Sequence, residues 1–209
     1  MSEVHRLPTR EQRRAREDHA AAVASRICHD LVSPLGAIAN GLELLGLAGL
    51  PEGPEMALIS ESVQNATARI RFFRLAYGLA GDQPVSRGEV VATLGAVSRG
   101  GRVSYDWLAA GDQPRAEVKA VFLLLQCLET AMPVGGHVRV AKENGAWEVE
   151  AEGRRLRVDE AQWTALQSPR ARPPDGAALV QFALLPLALA ELGRALALKL
   201  GPERVAARF

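Results

Sequence analysis

The chain has 209 residues, a formal net charge of +1 and 5% aromatic residues. A near-neutral balance draws it neither to nucleic acid nor to an anionic membrane, and so few aromatics argue against a base-stacking surface or a sugar groove. With 48% hydrophobic residues there is material for a real core, and the length suits one large domain or two small ones. Cys28 and Cys127 are far apart and lack Cys-x-x-Cys spacing, which fits free thiols in a reducing compartment and excludes a cysteine zinc site. The first twenty residues are charged, without the apolar stretch of a secretory signal. No run reaches about 18 clean apolar residues, so a soluble, cytoplasmic protein with no membrane segment is expected. Near the start, Arg6, Arg10, Arg13, Arg14 and Arg16 are mixed with Glu11, Glu17 and Asp18. That mixture predicts a solvated helix face rather than a nucleic-acid arm.

From residue 11 to 48 the helical period dominates. Val23, Ile27, Leu31, Leu35, Ile38, Leu42 and Leu45 recur at steps of three and four, one stripe on a long helix. The breaker GLAGLPEGPE, 46–55, ends it. A second stripe follows at Met56, Ile59, Val63, Ala66, Ile70, Phe73 and Tyr77, with the alternating steps of a heptad seam, and GLAGDQP closes it at 78–84. Two long helices on a short loop predict an antiparallel hairpin. A lone hairpin of this length buries its stripes poorly, whereas two together make a four-helix bundle. A homodimer is therefore expected, the alternative being that the C-terminal half covers the hairpin.

Within the first helix the stretch SRICHDLVSPLGAI, 25–38, sets His29 beside Asp30 and places Pro34 five residues on. His29 is two residues from both Ile27 and Leu31, about 200° round the helix from each, so it points away from the stripe. Pro34 removes the donor to the Asp30 carbonyl, at about 3 kcal/mol in a helix interior. An exposed neutral imidazole is available as a nucleophile near neutral pH. On a convex surface it can enter another protein's active site, which supplies positioning and charge neutralisation. Of the four histidines, His5, His19, His29 and His137, none has metal-ligand spacing, so no metal site is expected.

These residues resemble the H-box of two-component histidine kinases: His29, Asp30, Leu31, Ser33, Pro34 and Leu35. The longer run ASRICHDLVSPLGAIANGLELL, 24–45, is similar to the ChpT-type histidine phosphotransferases of bacterial phosphorelays. The resemblance implies a phosphoacceptor His29 with Asp30 tuning or orienting the imidazole. It also implies a receiver-binding surface around it, in which Arg26, Leu31, Ser33, Pro34, Leu35 and Ile38 are the candidates. Asn40 and Glu43 are further contacts or plain surface. Cys28 is a packing residue, with no base to activate it.

Residues 85–209 have another grain. A helix is expected over 89–97 and a strand over 102–108. A buried helix follows at 117–132. A hairpin spans 136–153 about an Asn144-Gly145 turn. A short helix at 158–166 and a loop at 167–176 lead to an apolar helix at 177–192, and two strands, ALALKLG and RVAARF, close the chain. This is an α+β sandwich. Its order resembles the ATP-binding domain of histidine kinases, with the nucleotide residues missing. Gln126 and Thr130 stand where the kinases have an Asn pair. Ala151-Glu152-Gly153-Arg154-Arg155 replaces Asp-x-Gly-x-Gly, and no glycine-rich lid or P-loop exists. Arg154, Arg155 and Arg157 form a basic patch there.

Two units are thus expected. Residues 1–83 form a hairpin for dimerisation and phosphotransfer, and 84–209 a degenerate kinase-like α+β domain. The resemblance implies a phosphotransferase that takes a phosphoryl group from the receiver aspartate of a hybrid histidine kinase. It passes the group to response regulators, including one of the cell-cycle type. It needs neither ATP nor another cofactor of its own, and Mg²⁺ is held by the partner receiver. An ATP-dependent kinase core and a non-catalytic dimeric scaffold are the alternatives.

Overall fold

The computed structural model describes residues 10–49, 53–79, 81–168 and 176–209. Arg6, His5, Leu50, Pro51 and most of the 167–176 loop lie outside the described residues, as do the side chains of the basic cluster from Arg10 to Arg16. Helix α1 spans Arg10–Leu47 and runs through Pro34, and α2 spans Pro54–Tyr77. At about 1.5 Å per residue, α1 is some 20 Å the longer. The two pack as an antiparallel hairpin, and the Leu79 amide donates to the Ser25 hydroxyl at 3.3 Å.

The stripe read along α1 divides between two faces. Leu35 and Leu42 are half-buried and go with buried Ala21 and Cys28 on the side packed against α2. Val23, Ile27, Leu31, Ile38 and Leu45 remain exposed, each 42–58% accessible. Helix α2 carries two apolar faces rather than one. Val63 and Ile70 of its expected seam are buried, while Ala68, Phe72, Leu75 and Ala76, on the opposite side, join the core of the C-terminal half. Phe72 meets Phe122 at 4.8 Å between ring centroids. So the C-terminal half covers one flank of α2 and leaves the α1 stripe open.

That half begins with α3, Arg87–Arg99, capped by the Ser86 hydroxyl accepting from the Glu89 amide. Strand β1, Val103–Trp107, leads to α4, Arg115–Ala131, which is buried from Ala120 through Leu128. The hairpin is β2, Gly136–Glu143, and β3, Ala146–Glu152. Its turn residues Asn144 and Gly145 both have positive φ, 49° and 78°, the geometry that favours Asn-Gly. A short α5, Glu160–Ala165, precedes α6, Val180–Glu191, and strands β4, Ala197–Leu200, and β5, Arg204–Arg208. The sheet order is β1-β2-β3-β5-β4, parallel only between β1 and β2. Alternation puts Val138, Val140, Trp147, Val149, Val205 and Ala207 against the helices, all buried. Glu117 of α4 ties the layers together. It accepts from Trp147 Nε1 at 2.6 Å and pairs with Lys142 at 2.7 Å and Arg194 at 3.3 Å.

Candidate functional site

At 100° per residue, α1 presents three faces. Cys28, Val32 and Leu35 turn toward α2. Ile27, Leu31 and Ile38 lie about 160–180° round from His29, on the open apolar side. His29, Ser33 and Arg26 share the third face, within about 60° of one another. Of the expected receiver contacts, therefore, the helix groups Arg26 and Ser33 with His29. It directs Leu31, Pro34 and Ile38 away from it and Leu35 inward.

The His29 side chain is 83% exposed. Its Nδ1 lies 3.3 Å from Asp30 Oδ1, and Arg26 Nε donates to Asp30 Oδ2 at 2.7 Å. One carboxylate thus bridges a guanidinium one turn back and the neighbouring imidazole. The hydrogen bond from Arg26, then that from His29, hold the Asp30 carboxyl below its ordinary range. An ionised carboxylate only accepts, so this contact is a hydrogen bond of a neutral His29 when the ring proton is on Nδ1. Nε2 then carries a lone pair directed at solvent. Cys28, next in the chain, is buried, and desolvation raises its thiol despite the charge of Arg74. It is a packing group in the hairpin.

A second set of residues was not legible as a site. Arg69 of α2 donates through Nη1 to both oxygens of Glu129 on α4, at 2.9 Å each. Tyr105 also donates to Glu129, and Tyr77 of α2 donates to Gln126 Oε1. Burial, followed by the charges of Cys127 and Glu129, pushes the Tyr77 hydroxyl up to about 12. Arg69, Tyr77, Gln126 and Glu129 line a cleft of about 540 Å³ that opens between α2, α4 and the start of α6. Gln126, at one expected Asn position, is buried and engaged by Tyr77. Thr130, at the other, donates to its own helix at the Cys127 carbonyl. The signal available in the sequence was the alternation of Arg69, Phe73 and Tyr77 with the buried face of α2.

On the outer face of the sheet His137 lies between Ser104, 2.9 Å from Nδ1, and Asp106, 3.1 Å from Nε2. The nearby Gly135, Gly136 and Gly153 amides already donate to the Met132, Arg102 and Glu203 carbonyls, so these glycines offer no free donors to an oxyanion. Arg154, Arg155 and Arg157 are exposed. Among the described residues no group of three His, Cys, Asp or Glu side chains is arranged to hold a metal ion. No described helix is long and apolar enough to cross a membrane.

A family model described as the histidine phosphotransferase C-terminal domain matches residues 87–204. The protein phosphotransferase ChpT of Brucella abortus (strain 2308) is 38% identical over an alignment of 148 residues that covers 68% of this chain and 70% of that protein. A solved bacterial phosphotransferase structure is 27% identical, with a TM-score of 0.68 over 97% of this chain and 98% of its own. The fold, the extent of the family match and this relative together show that the chain belongs to the histidine phosphotransferase family.

Proposed function

We propose that this chain is a dimeric phosphocarrier of a bacterial phosphorelay, working in the cytoplasm without ATP. It would take a phosphoryl group from the receiver aspartate of a hybrid histidine kinase onto His29 and hand it to the receiver aspartate of a response regulator, including one that acts in the cell cycle. The observation that carries this reading is the exposed imidazole whose Nδ1 is tied to Asp30 while Nε2 is open.

The step follows from that geometry. The Nε2 lone pair attacks phosphorus in line, and the P–O bond to the receiver aspartate breaks with its electron pair on the carboxylate. No proton leaves His29, because Nε2 bears none. The ring becomes a cation, and its Nδ1–H bond to Asp30 turns into a charge-assisted one. Charge developing on the imidazole therefore meets a carboxylate already in place. Transfer to the second receiver is the same step reversed. A receiver's Mg²⁺ would neutralise the phosphoryl oxygens. On this chain Asp30 already gives both oxygens to Arg26 and His29, so the ion fits the receiver's carboxylates and not this site.

Independence from ATP is supported by the α4 face that resembles the kinase nucleotide site. Tyr77 engages Gln126 there, Arg69 spans Glu129, and α2 packs over both. Dimerisation is supported by the exposed row Val23, Ile27, Leu31, Ile38 and Leu45, a stripe large enough to need a partner. We assign the hairpin, residues 1–83, to dimerisation and phosphotransfer, and 84–209 to a kinase-like domain that keeps the fold and not the nucleotide residues.

The test uses a receiver domain carrying labelled aspartyl phosphate, mixed without ATP with the wild type and with His29→Ala. Acid-labile, base-stable label on the wild type alone is the expected result. Label arriving from ATP instead would make the chain a kinase core, and none from either source would leave a scaffold.

A further inference from the structure

Arg26 stands one turn before Asp30, with Nε 2.7 Å from Oδ2. An exposed ion pair at this spacing, with the cation first, adds little to helix stability, and Arg26 is 76% accessible. What distinguishes this pair is the other oxygen of the same carboxylate, which faces His29 Nδ1. We propose that Arg26 is a positioning residue for phosphotransfer. By holding Oδ2 it fixes the Asp30 carboxylate with Oδ1 on Nδ1, and so fixes the imidazole tautomer and the direction of Nε2. The proposal rests on the reading of His29 as the phosphoacceptor.

The physical case has three parts. Asp30 is half-exposed, with 49% of its side chain accessible, so without a second anchor its carboxylate is free to turn into water. His29 is freer still, and an unrestrained neutral imidazole favours the proton on Nε2, the nitrogen that must be bare to attack. The guanidinium also lowers the basicity of Asp30, which keeps the carboxylate an acceptor rather than a proton thief along the Nδ1–H bond. Among the described residues, Arg74 of α2, whose charge reaches Cys28, is already paired with Glu89 of α3 at 2.8 Å, and Arg115 donates to the Leu79 and Arg74 carbonyls, so Arg26 is the cation bonded to Asp30. When a receiver docks over His29, water is displaced and each of these contacts strengthens.

The alternative for an exposed arginine beside a phosphoacceptor is direct contact with acidic groups of the receiver. The two roles separate by experiment on the full chain. Long-range ¹H–¹⁵N spectra, with His29 assigned by its loss in His29→Ala, report the tautomer in the pH range where the ring is neutral. The wild type is expected mainly as Nδ1–H. Arg26→Ala should move it toward Nε2–H, and Arg26→Lys should hold it. In transfer from a phosphorylated receiver, Arg26→Ala should lower the saturating rate by about three- to tenfold, the effect of losing one modest hydrogen-bonded anchor, with KM unchanged. Lysine should restore most of it. On an Asp30→Asn background Arg26→Ala should add nothing. A raised KM with the tautomer and saturating rate unmoved would overturn the proposal and make Arg26 a docking contact. If His29→Ala still accepted label, the phosphoacceptor reading would fail instead, a result distinct from any change of tautomer.

Discussion

Replacing Ile38 by aspartate should convert the proposed dimer to monomer. Ile38 is 47% exposed in the single chain and lies on the α1 face about 180° from His29. Burying a whole side chain of this size contributes about 1.5–3 kcal/mol, so covering its open half contributes about 1 kcal/mol. In a twofold seam the residue enters twice, for about 2 kcal/mol. The aspartate adds two carboxylates with no partner in an apolar seam, at about 1–3 kcal/mol each or more. The sum is about 4–8 kcal/mol, or some three orders of magnitude in Kd at least, since each 1.4 kcal/mol is tenfold. Sedimentation over a concentration series reads this directly. Because Ile38 is open in the monomer, helical circular dichroism should be unchanged. Arg26, His29 and Asp30 all come from one chain, so the monomer should still accept label from a phosphorylated receiver. An Ile38→Asp protein that sedimented as the wild-type dimer would refute the placement of the seam.

Three further outcomes follow from the contacts. Phe72→Ala should cost about 3–5 kcal/mol in urea unfolding, because Phe72 is fully buried against Phe122 where α2 enters the C-terminal core; a loss below about 1 kcal/mol would show that the hairpin does not depend on that core. Burial pushes the Glu117 carboxyl up, but the hydrogen bonds of Lys142 and Trp147 and the charges of Lys142 and Arg194 outweigh it and hold it below its ordinary value. The unfolded chain therefore takes this proton first. Glu117's contribution is full above about pH 4.5 and lost as pH falls through its lower folded value, so Glu117→Gln should start less stable yet lose less between pH 5 and 3, read by unfolding at each pH. Asp30→Asn should slow label uptake by roughly tenfold to a hundredfold, because the amide can donate to Nδ1 and favour the tautomer with Nε2 protonated; uptake at the wild-type rate would mean that Asp30 takes no part.

Much of this was legible because period and turn chemistry are local. Asn144-Gly145 announces its hairpin, and the two prolines and three glycines of 46–55 announce the break between α1 and α2. Exposure of His29 followed from its offset of two residues from Ile27 and Leu31. What escaped depends on which neighbour a face meets. Leu35 and Leu42 fall in the same period as Ile38 and Leu45, yet they turn half-buried toward α2 while the others stay exposed. Phe72, Leu75 and Ala76 form a second stripe on α2, hidden from a search for one stripe because the helix is sandwiched between α1 and α4. The Arg69–Glu129 pair joins residues 60 apart, and no local pattern reports a contact of that range. The bridge from Arg26 through Asp30 to His29 is local and its spacing is visible. Its geometry is not, because adjacent helical side chains diverge by about 100° and only the rotamers decide whether they meet.

The division of α1 into three faces also explains why Pro34 is tolerated. It removes the hydrogen bond to the Asp30 carbonyl at a cost of about 3 kcal/mol, and that carbonyl belongs to the turn bearing His29. Pro34 itself is exposed, so water can reach the side of the helix on which the ladder is broken. The turn is held instead from the α2 side, where Cys28 is buried, Val32 and Leu35 are half-buried, and Ser25 receives the Leu79 amide. Stability and chemistry are thus supplied by different faces of the same turns. The packed face keeps the helix in place through a proline that would break a solvated helix. The polar face is left free of packing duty, so its side chains can be arranged around the imidazole alone. A substitution at Cys28 or Leu35 should therefore act on the fold, and one at Arg26 or Asp30 on the transfer.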